Sequence, residues 1–389
     1  MNILSTGSFH MLSVILILII CTCNRCTSIK WLSLHTITNT WTEPKHCPKN
    51  QNLRKNYGLV AYQARMCRRI SDLMPVIIRA SQTTVSACQK VFADRRWNYS
   101  EFVGPLTFLG TKEQAFVYAL SSAALTHHVA KACVSGDLPY CPCGLNSPTA
   151  STDASYKWKG CSDNVLYGQK VSREWADASW RKKWRPRNVT APIRRRYREL
   201  IDDWAYINTD FSAHKSITDL SPRARMNEHN NEVGRQITQE SLYRKCKCHG
   251  VSSSCNVRTC WNTLPDVYDI ALKLRERYME ASPLSELLAQ SEYADKAIHG
   301  ELLSKQHLVY LRNSPDYCVE DNRTGSYGTV MRECNLTSPG PNSCSSLCCG
   351  RGYYTKQMLV EEQCQCKYVH CCYVKCKTCK YLVDKYYCK

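Results

Sequence analysis

The stretch Cys246-Lys-Cys-His-Gly-Val-Ser-Ser-Ser-Cys255-Asn-Val-Arg-Thr-Cys260-Trp261 is the sharpest local pattern in the sequence. Two nested pairings, Cys246 with Cys260 and Cys248 with Cys255, would make it a hairpin whose tip is residues 249–254. Closing the inner loop would constrain the unfolded chain by roughly 2–3 kcal/mol in the loop-entropy model. The pattern therefore predicts a rigid tip that is held away from the body of the protein.

Three functions compete for this tip. A zinc site would use Cys-x-Cys-His, but a cysteine and a histidine this close together would crowd a tetrahedral centre. A hydrolase would use His249 and Ser252, but Ser254 stands where a Gly-x-Ser-x-Gly turn needs its second glycine. The third function, a serine presented for covalent modification, has no such objection.

The cysteine content is the unusual feature of the composition. The chain has 389 residues and 26 cysteines, twelve of which lie between Cys318 and Cys388. A cytosolic enzyme rarely carries so many thiols, because glutathione would keep them reduced. The 52 basic and 33 acidic side chains give a net charge of +19, which favours polyanionic surroundings. Nucleic acid is not expected as the partner, since the chain lacks a cytosolic or nuclear address.

The beginning of the chain is consistent with an oxidising compartment. Residues 11–20 form an almost wholly apolar run of ten, which is the size of a signal-peptide core and too short to span a bilayer. Residues 1–28 are therefore expected to be a signal peptide, and the mature protein to be secreted to the extracellular space and matrix. Four Asn-x-Ser/Thr acceptors add modest weight, at Asn98, Asn188, Asn322 and Asn335.

The texture of the sequence changes along the chain. Apolar residues recur at helical spacing over residues 58–92 and 266–278, and residues 113–133 are rich in Ala and Leu. After Cys318 the apolar runs are short and broken by paired cysteines, which favours β-hairpins cross-linked by disulfides. The expected fold is α+β and disulfide-rich: a helical domain at 29–282 that carries the hairpin 246–260, a polar linker at 283–315, and a small cysteine-knot-like β-hairpin domain at 316–389.

A basic segment lies inside the helical half. Residues 181–198 hold nine basic side chains and no acidic one, within a Trp-rich region at about 172–220. A solvated loop and a polyanion contact are about equally expected there, and clustered arginines pair well with sulfate. In an extracellular protein the polyanion would be heparan sulfate, with Arg194, Arg195, Arg196 and Arg198 as the expected contacts.

With these residues in view, the chain resembles the Wnt family of secreted signalling glycolipoproteins, and in detail its Wnt-eleven subfamily. The resemblance rests on the Cys246–Trp261 motif and runs from about Ile29 onward; only residues 172–220 look inserted. Further matching segments are Ile29-Lys-Trp-Leu32, Phe92-Ala-Asp-Arg-Arg-Trp-Asn98, Glu113-Gln-Ala-Phe-Val-Tyr-Ala-Leu120, Ser135-Gly-Asp-Leu-Pro139 and Asn231-Glu-Val-Gly-Arg-Gln236.

The resemblance implies a ligand and not an enzyme. By motif position, Ser252 is the serine that the membrane acyltransferase Porcupine modifies with palmitoleate, the only non-protein group expected; no metal or cofactor is implied. Ser253 and Ser254 are alternative acceptors in the same run of hydroxyl side chains, and Ser252 is the favoured one. The lipid would occupy a groove in the cysteine-rich domain of Frizzled receptors, and burying it would supply on the order of 10 kcal/mol gross. Other implied partners are the carrier Wntless, co-receptors and heparan sulfate proteoglycans, with membrane contact through the lipid only.

The family framework also implies a second receptor contact and the disulfides. A finger hairpin at 364–379 would grip Frizzled through its tip, residues Val369, His370, Cys371, Cys372 and Tyr373. The implied disulfide pairs are Cys47 with Cys67, Cys133 with Cys141, Cys143 with Cys161, Cys246 with Cys260, Cys248 with Cys255, Cys318 with Cys349, Cys334 with Cys344, Cys348 with Cys388, Cys364 with Cys379, Cys366 with Cys376, and the neighbours Cys371 with Cys372.

Three departures from the family pattern stand out. Ser253 replaces the glycine that usually follows the acylated serine, which would strain the tip if that position has a positive φ. His370 replaces a tryptophan at the finger tip, and losing such an anchor costs on the order of 2 kcal/mol of binding. Tyr99 replaces the usual partner of Cys88, so Cys88 is left either buried and inert or able to cross-link molecules.

Two other classes of protein remain as alternatives. A secreted lipase would need an exposed nucleophile, base and acid, but the pair His127-His128 lies on an Ala-rich helix and is more simply structural. The other alternative is a secreted disulfide-rich matrix or inhibitor protein without lipid. A fatty-acid mass increment on a serine of the hairpin would separate these classes.

Overall fold

The structure is a computed structural model, and it describes residues 29–38, 41–97, 110–144, 156–180, 222–289, 307–321 and 326–389. Contacts divide the chain into two compact units. The helical unit comprises Ile29–Thr84 and Gly110–Asn313. The cysteine-rich unit comprises Val85–Leu109 and Ser314–Lys389.

Helices dominate the first unit and confirm the helical front half that the sequence predicts. The α-helices of the described residues are α1 Gln51–Asn56, α2 Ala61–Arg69, α3 Met74–Val91, α4 Lys112–Ser135, α5 Val165–Ala176, α6 Pro222–Glu240, α7 Val267–Met279, α8 Leu284–Ala289 and α9 Cys344–Leu347. Helix α9 and the part of α3 from Val85 onward belong to the cysteine-rich unit. Short 3-10 turns lie at Lys30–Thr36, Pro44–His46, Ser71–Leu73, Asp177–Ser179 and Val251–Ser253.

Helix α4 is the centre of the helical unit. Most of its side chains are buried on every side, and the helix packs against α5, α6 and α7. A helix that is apolar all round is expected to be a core helix, and its many Ala and Ser residues let neighbours approach closely. Gly234 of α6 shows how closely: a Cβ built there would lie 1.9 Å from the carbonyl oxygen of Ala119.

A buried ion network joins α5 and α6. Arg235 is 1% exposed, and its guanidinium donates to Asp177 at 3.1 Å and to Glu232 at 2.8 Å. Arg173 donates to the other oxygen of Glu232 at 2.7 Å. Burial by itself raises the pKa of Glu232, but hydrogen bonds and charge from the two arginines outweigh it and lower the pKa to about 2. The charges are thus paired, as a buried ion requires.

Strands complete the helical unit. The sheet of order β1-β3-β2 consists of β1 Tyr156–Lys159, β2 Tyr243–Cys248 and β3 Arg258–Thr263. Strand β3 runs parallel to β1 and antiparallel to β2. A second, two-stranded parallel pair joins β4 Ser282–Pro283 to β5 Val309–Tyr310. The described parts of the segment predicted as a linker, 283–315, are thus tied into the helical unit through β4 and β5 and are not a free connection.

Residues 172–180, the first part of the segment expected to be inserted, belong to the helical fold. Ser172 and Trp175 lie in α5 and are fully buried. The side-chain amide of Gln63 donates to the carbonyl oxygen of Trp175 at 2.9 Å, which ties α5 to α2. Residues 181–221 lie outside the described residues.

The cysteine-rich unit is built on one long hairpin. Its strands are β6 Glu320–Asp321, β7 Ser326–Tyr327, β8 Glu333–Cys334, β9 Tyr353–Val369 and β10 Tyr373–Cys388. Strands β8, β10 and β9 form an antiparallel sheet in that order. A small core of Cys334, Cys344, Leu347, Cys348 and Cys388 packs against Tyr386 near the base of the hairpin.

Residues 85–97 are part of this second unit, which the sequence does not predict. The guanidinium of Arg332 donates to the carbonyl oxygens of Arg96 and Ala93 at 2.7 and 3.2 Å. Arg96 in turn donates to the carbonyl oxygen of Ser346 at 2.9 Å. Arginine bonds to main-chain carbonyls therefore join two segments that are far apart in the sequence.

The α+β, disulfide-rich class is confirmed, but the finger is longer than predicted. The strands pair from Tyr353 with Cys388 to Val369 with Tyr373, whereas the sequence indicates a hairpin at 364–379. Nearly every residue of both strands is exposed or half-buried. Because neither face is covered along most of the length, the sequence shows no apolar alternation from which the full strand length can be read.

We expect Arg235→Ala to lower the free energy of unfolding of the helical unit by about 3–5 kcal/mol, because it removes the positive charge that neutralises the buried carboxylate of Asp177. The matched control is Arg277→Ala in α7, whose partner Glu280 lies 3.7 Å away at the surface. That change should cost less than about 0.5 kcal/mol. Denaturant unfolding of the two secreted variants checks this, and equal losses would contradict it.

A second prediction concerns two neighbouring histidines of α4. His127 Nε2 donates to the carbonyl oxygen of Pro265 at 2.9 Å, and His128 Nε2 lies 2.9 Å from the hydroxyl oxygen of Thr83. Burial, together with the charges of His127 and Arg79, lowers the pKa of His128 to about 3. The folded state therefore binds fewer protons than the unfolded state between about pH 6.5 and pH 3.

Protonation of His128 in the unfolded state therefore lowers the free energy of unfolding as pH falls from about 6.5 towards 3, whereas above pH 6.5 His128 has no such effect. Between pH 7.5 and pH 5 the loss is about 2 kcal/mol. We expect His128→Gln to remove most of that loss, because glutamine does not titrate. Unfolding of wild type and variant at the two pH values measures it, and an unchanged pH dependence in the variant would refute the role of His128.

Candidate functional site

The hairpin of β2 and β3 has the nested cross-links that its cysteine spacing suggests. Cys246 lies directly opposite Cys260, and their Cα atoms are 4.1 Å apart in a disulfide. The inner disulfide joins Cys248 to Cys255, with Cα atoms 4.6 Å apart. Two cross-links within a short hairpin hold the residues between them in a fixed position.

Main-chain hydrogen bonds fold the tip into one tight turn. The amide of Gly250 donates to the carbonyl oxygen of Ser254 at 2.8 Å, and the amide of Ser253 donates back to Gly250 at 3.0 Å. Position 250 requires glycine because a Cβ there would lie 2.6 Å from the main-chain carbonyl oxygen of Ser254. The sequence Gly-Val-Ser-Ser-Ser thus folds on its own backbone and leaves its side chains to solvent.

Ser252 is exposed at the apex of this turn. Its φ and ψ are 54° and 36°, and Ser253 follows with a φ of 62°. Left-handed backbone costs a residue other than glycine about 1 kcal/mol. Ser254 returns to extended backbone with a φ of −62° and a ψ of 150°. The position that carries glycine in the family pattern, Ser253, therefore does have the positive φ that favours glycine.

Val251 is a feature of the tip that the sequence analysis missed. Its side chain is 90% exposed, the highest exposure given for any large apolar residue of the described chain. An apolar residue in an otherwise polar tip was the sequence feature from which this exposed apolar side chain could have been predicted. The exposed valine gives the tip an apolar surface immediately beside Ser252.

The histidines considered for a hydrolase form hydrogen bonds that do not involve Ser252. His249 Nε2 lies 2.9 Å from the hydroxyl oxygen of Thr259 on β3, so the imidazole is bound to its own hairpin. His127 and His128 are largely buried in α4 and contact Pro265 and Thr83. Among the described residues, no acid, base and nucleophile of a hydrolase come together at the tip.

The second site is the tip of the finger. Val369 and Tyr373 pair across the turn, and the exposed residues His370, Cys371 and Cys372 lie between them. Cys371 and Cys372 have φ values of 63° and 109°, so they form the turn itself. The adjoining Tyr368 and Tyr373 are 71% and 58% exposed.

The expected bond between Cys371 and Cys372 is absent, which corrects the sequence-based expectation. Their Sγ atoms lie 2.7 Å apart and both thiols are free, whereas a disulfide measures about 2.05 Å. The two thiols are thus in close contact at the finger tip, but the structure does not join them.

Ten disulfides are present in the described residues, and they coincide with the other ten pairs implied by the family framework. They are Cys47–Cys67, Cys133–Cys141, Cys143–Cys161, Cys246–Cys260, Cys248–Cys255, Cys318–Cys349, Cys334–Cys344, Cys348–Cys388, Cys364–Cys379 and Cys366–Cys376. The last two lie one inside the other and cross-link the outer half of the finger.

Cys88 is a free thiol in the structure. Its side chain is fully buried in α3, and burial raises its pKa well above the usual value. The sequence left open whether Cys88 is buried and inert or able to cross-link molecules, and the observed burial favours the first. Tyr99, which stands in place of its usual partner, lies outside the described residues.

Several sulfur atoms of the cysteine-rich unit cluster together. The Sγ atoms of Cys334, Cys348 and Cys388 lie within 4.8 Å of one another. All three are in disulfides, with Cys344 as the partner of the first and Cys348 joined to Cys388. Metal binding requires thiolates, so this cluster is a covalent core and not a ligand set.

Some expected site residues lie outside the described residues, namely the signal peptide 1–28, the acceptors Asn98, Asn188 and Asn322, and the arginines Arg194, Arg195, Arg196 and Arg198. The fourth acceptor, Asn335, is exposed, and its side-chain oxygen accepts from the amide and the hydroxyl of Thr337 at 3.0 Å each. Where the structure describes the chain, no helix is both long and apolar enough to cross a membrane.

Comparison with known proteins agrees with this architecture. A family model described as the wnt family matches residues 55–389. The chain is 38% identical to Wnt-11b-1 of Xenopus tropicalis over 97% of this chain and 98% of that protein. It is 37% identical to Wnt-11 of Gallus gallus over 94% of each. It is also 33% identical to Wnt-1 of Caenorhabditis elegans over 93% of this chain and 95% of that protein.

Among solved structures, the chain is similar to one described as human WLS in complex with WNT8A. The TM-score is 0.54 at 27% identity, and the match covers 92% of this chain and 100% of that chain. The resemblance to the Wnt family and its Wnt-eleven members is therefore confirmed over nearly the whole length. The chain belongs to the Wnt family, whose members are secreted signalling ligands.

Proposed function

We propose that this protein is a secreted Wnt ligand that carries palmitoleate on Ser252 and presents it to the cysteine-rich domain of a Frizzled receptor. The observation that carries the proposal is the exposed serine at the apex of a turn held by two disulfides. A hydroxyl in this position is accessible to an acyltransferase, and the attached chain is held clear of the protein that bears it.

Burial of the acyl chain in the receptor supplies the binding energy in this proposal. A chain of some sixteen carbons gains about 0.8 kcal/mol per buried CH₂, on the order of 10 kcal/mol gross before ordering costs. The exposed side chain of Val251 adds apolar surface beside the lipid. The rigid turn reduces the ordering cost, because the residues that flank Ser252 are already fixed.

The finger tip is the second receptor contact in this proposal. Val369, His370, Cys371, Cys372 and Tyr373 form a turn at the end of strands that are themselves cross-linked. Exposed Tyr368 and Tyr373 supply aromatic surface where the family pattern has a tryptophan and this chain has His370. Aromatic side chains are the usual anchors of protein interfaces. The two tyrosines therefore offset part of the binding energy that is lost with the tryptophan.

Other partners follow from family membership. We propose Porcupine as the acyltransferase, co-receptors beside Frizzled, and Wntless as the carrier, since the WNT8A structure is a complex with WLS. Heparan sulfate proteoglycans are the proposed ligands of Arg194, Arg195, Arg196 and Arg198. The protein would act in the extracellular space and matrix without catalysis, and would contact membranes through its lipid only.

Ser252→Ala tests the lipid assignment, because alanine removes the acceptor oxygen without changing the disulfides. We expect the variant to be synthesised, to be poorly exported, and to lose activation of a Frizzled reporter. Ser254→Ala is the matched control, because Ser254 lies outside the left-handed pair in the same turn. Mass spectrometry of the Cys248–Cys255 peptide should find a fatty-acid increment on Ser252 in wild type and control.

Two results would count against this assignment. Normal signalling by Ser252→Ala would show that the acyl group is elsewhere or unnecessary. Wild-type protein that is secreted and carries no fatty acid on this peptide would instead support a disulfide-rich matrix or inhibitor protein.

Ser253→Gly tests the strain at the tip. Glycine adopts a φ of 62° without the penalty of about 1 kcal/mol that serine bears there. We expect the fraction of acylated protein after a short metabolic pulse to rise. Ser254→Gly is the control, since its φ of −62° suits any residue. A gain in the control alone, or no gain in either variant, would contradict strain as a limit on acylation.

A further inference from the structure

The outer half of the finger, residues 363–379, has an unbalanced charge. This segment, the distal finger, contains Lys367, Lys375 and Lys377 and no Asp or Glu. Lys367 lies directly opposite Lys375 in the strand register, and Lys377 is two residues further along β10. Because side chains alternate along a strand, all three lysines lie on one face of the hairpin, and all three are exposed.

In the inner half of the same hairpin, lysines have acidic side chains beside them. Lys380 lies directly opposite Glu361 and forms an ion pair with it. Lys385 lies directly opposite Lys356, but it also forms an ion pair with Glu333 of β8 at 2.9 Å. The opposed lysines of the inner half thus have an acidic side chain beside them, and the distal finger contains none. Opposed like charges destabilise a strand pair, so Lys367 and Lys375 weaken the distal finger unless an anion from outside lies between them.

Apolar groups border these lysines on both faces. Tyr368 and Val374 pair across the strands on the opposite face, and they are 71% and 61% exposed. Tyr373, on the lysine face, is 58% exposed. Aromatic surface rimmed by charge is the composition of protein interfaces. A protein surface that encloses the tip contacts both faces, and a membrane or a polysaccharide is tested beside it in the experiment below.

We propose that Lys367, Lys375 and Lys377 select an acidic surface on the receptor domain that binds the finger. The proposal rests on the proposed Frizzled contact and adds the charge of the partner to it. Charges at the rim of an interface mainly raise the association rate and orient the encounter, and salt screens them. The lysines therefore act before the aromatic contacts form, and the repulsion between Lys367 and Lys375 is relieved on binding.

The test compares two double variants that remove the same charge from the same hairpin. Lys367→Gln/Lys375→Gln changes the distal finger, and Lys380→Gln/Lys385→Gln changes the ion-paired lysines as the control. Full-length secreted proteins, in detergent, are measured by surface plasmon resonance against a panel of soluble Frizzled cysteine-rich domains at 75, 150 and 500 mM NaCl. Vesicles of phosphatidylcholine with phosphatidylserine, and immobilised heparin, are measured in parallel.

We expect the distal variant to associate with receptor domains about fivefold more slowly at 150 mM salt and to lose most of its salt dependence, since exposed charges act through screened attraction. The control should stay within about twofold of wild type. Equal losses in both variants, or no loss in the distal variant, would overturn the proposal, as would a loss confined to vesicles or heparin. Wild-type protein that binds no receptor domain would refute the proposed function itself, which separates that failure from this one.

Discussion

Covalent cross-linking is the constraint on which both candidate contact sites depend. Strand β2 beside Ser252 and both strands of the outer finger expose most of their residues, so burial of apolar surface contributes little to holding them. Strand β3 is buried or half-buried and also pairs with β1, but the strands of the outer finger pair only with each other. A two-stranded hairpin on its own is marginally stable in water. In each hairpin two disulfides, one inside the other, join the strands close to the tip. These cross-links fix the tips and leave their side chains available to partners.

The two units solve the problem of stability in different ways. The helical unit has a conventional core around α4, with the charges of α5 and α6 paired in the Arg235 network. The cysteine-rich unit has only a small core, made largely of sulfur, and it relies on arginine bonds to main-chain carbonyls for the segment 85–97. A small core supplies few kcal/mol, and cross-links make up the deficit. The exposed finger thus belongs to the unit that depends least on buried apolar surface.

Periodicity and cysteine spacing predicted the parts of the structure that they physically encode. Helices α3 and α7 follow from apolar residues at helical spacing, α4 follows from its richness in Ala and Leu, and the first hairpin follows from the spacing of Cys246 to Cys260. The length of the finger could not be read, because strands exposed on both faces carry no alternation. Nor could the role of residues 85–97 be read, because Arg332 and Arg96 act through backbone carbonyls that no side-chain pattern reveals. At the sites, the motif indicated a presented serine, while the exposure of Val251 and the opposition of Lys367 to Lys375 required the strand register.

Cys88 carries a consequence for how the molecule matures. Three cysteines are free among the described residues, and of these Cys88 is buried whereas Cys371 and Cys372 are exposed at the finger tip. The Cys88 thiol is enclosed in α3, where burial raises its pKa and keeps it protonated. A protonated, inaccessible thiol neither attacks a disulfide nor is reached by another thiol. Tertiary packing therefore withdraws Cys88 from disulfide exchange, and the thiols that remain accessible for exchange are those of the finger tip.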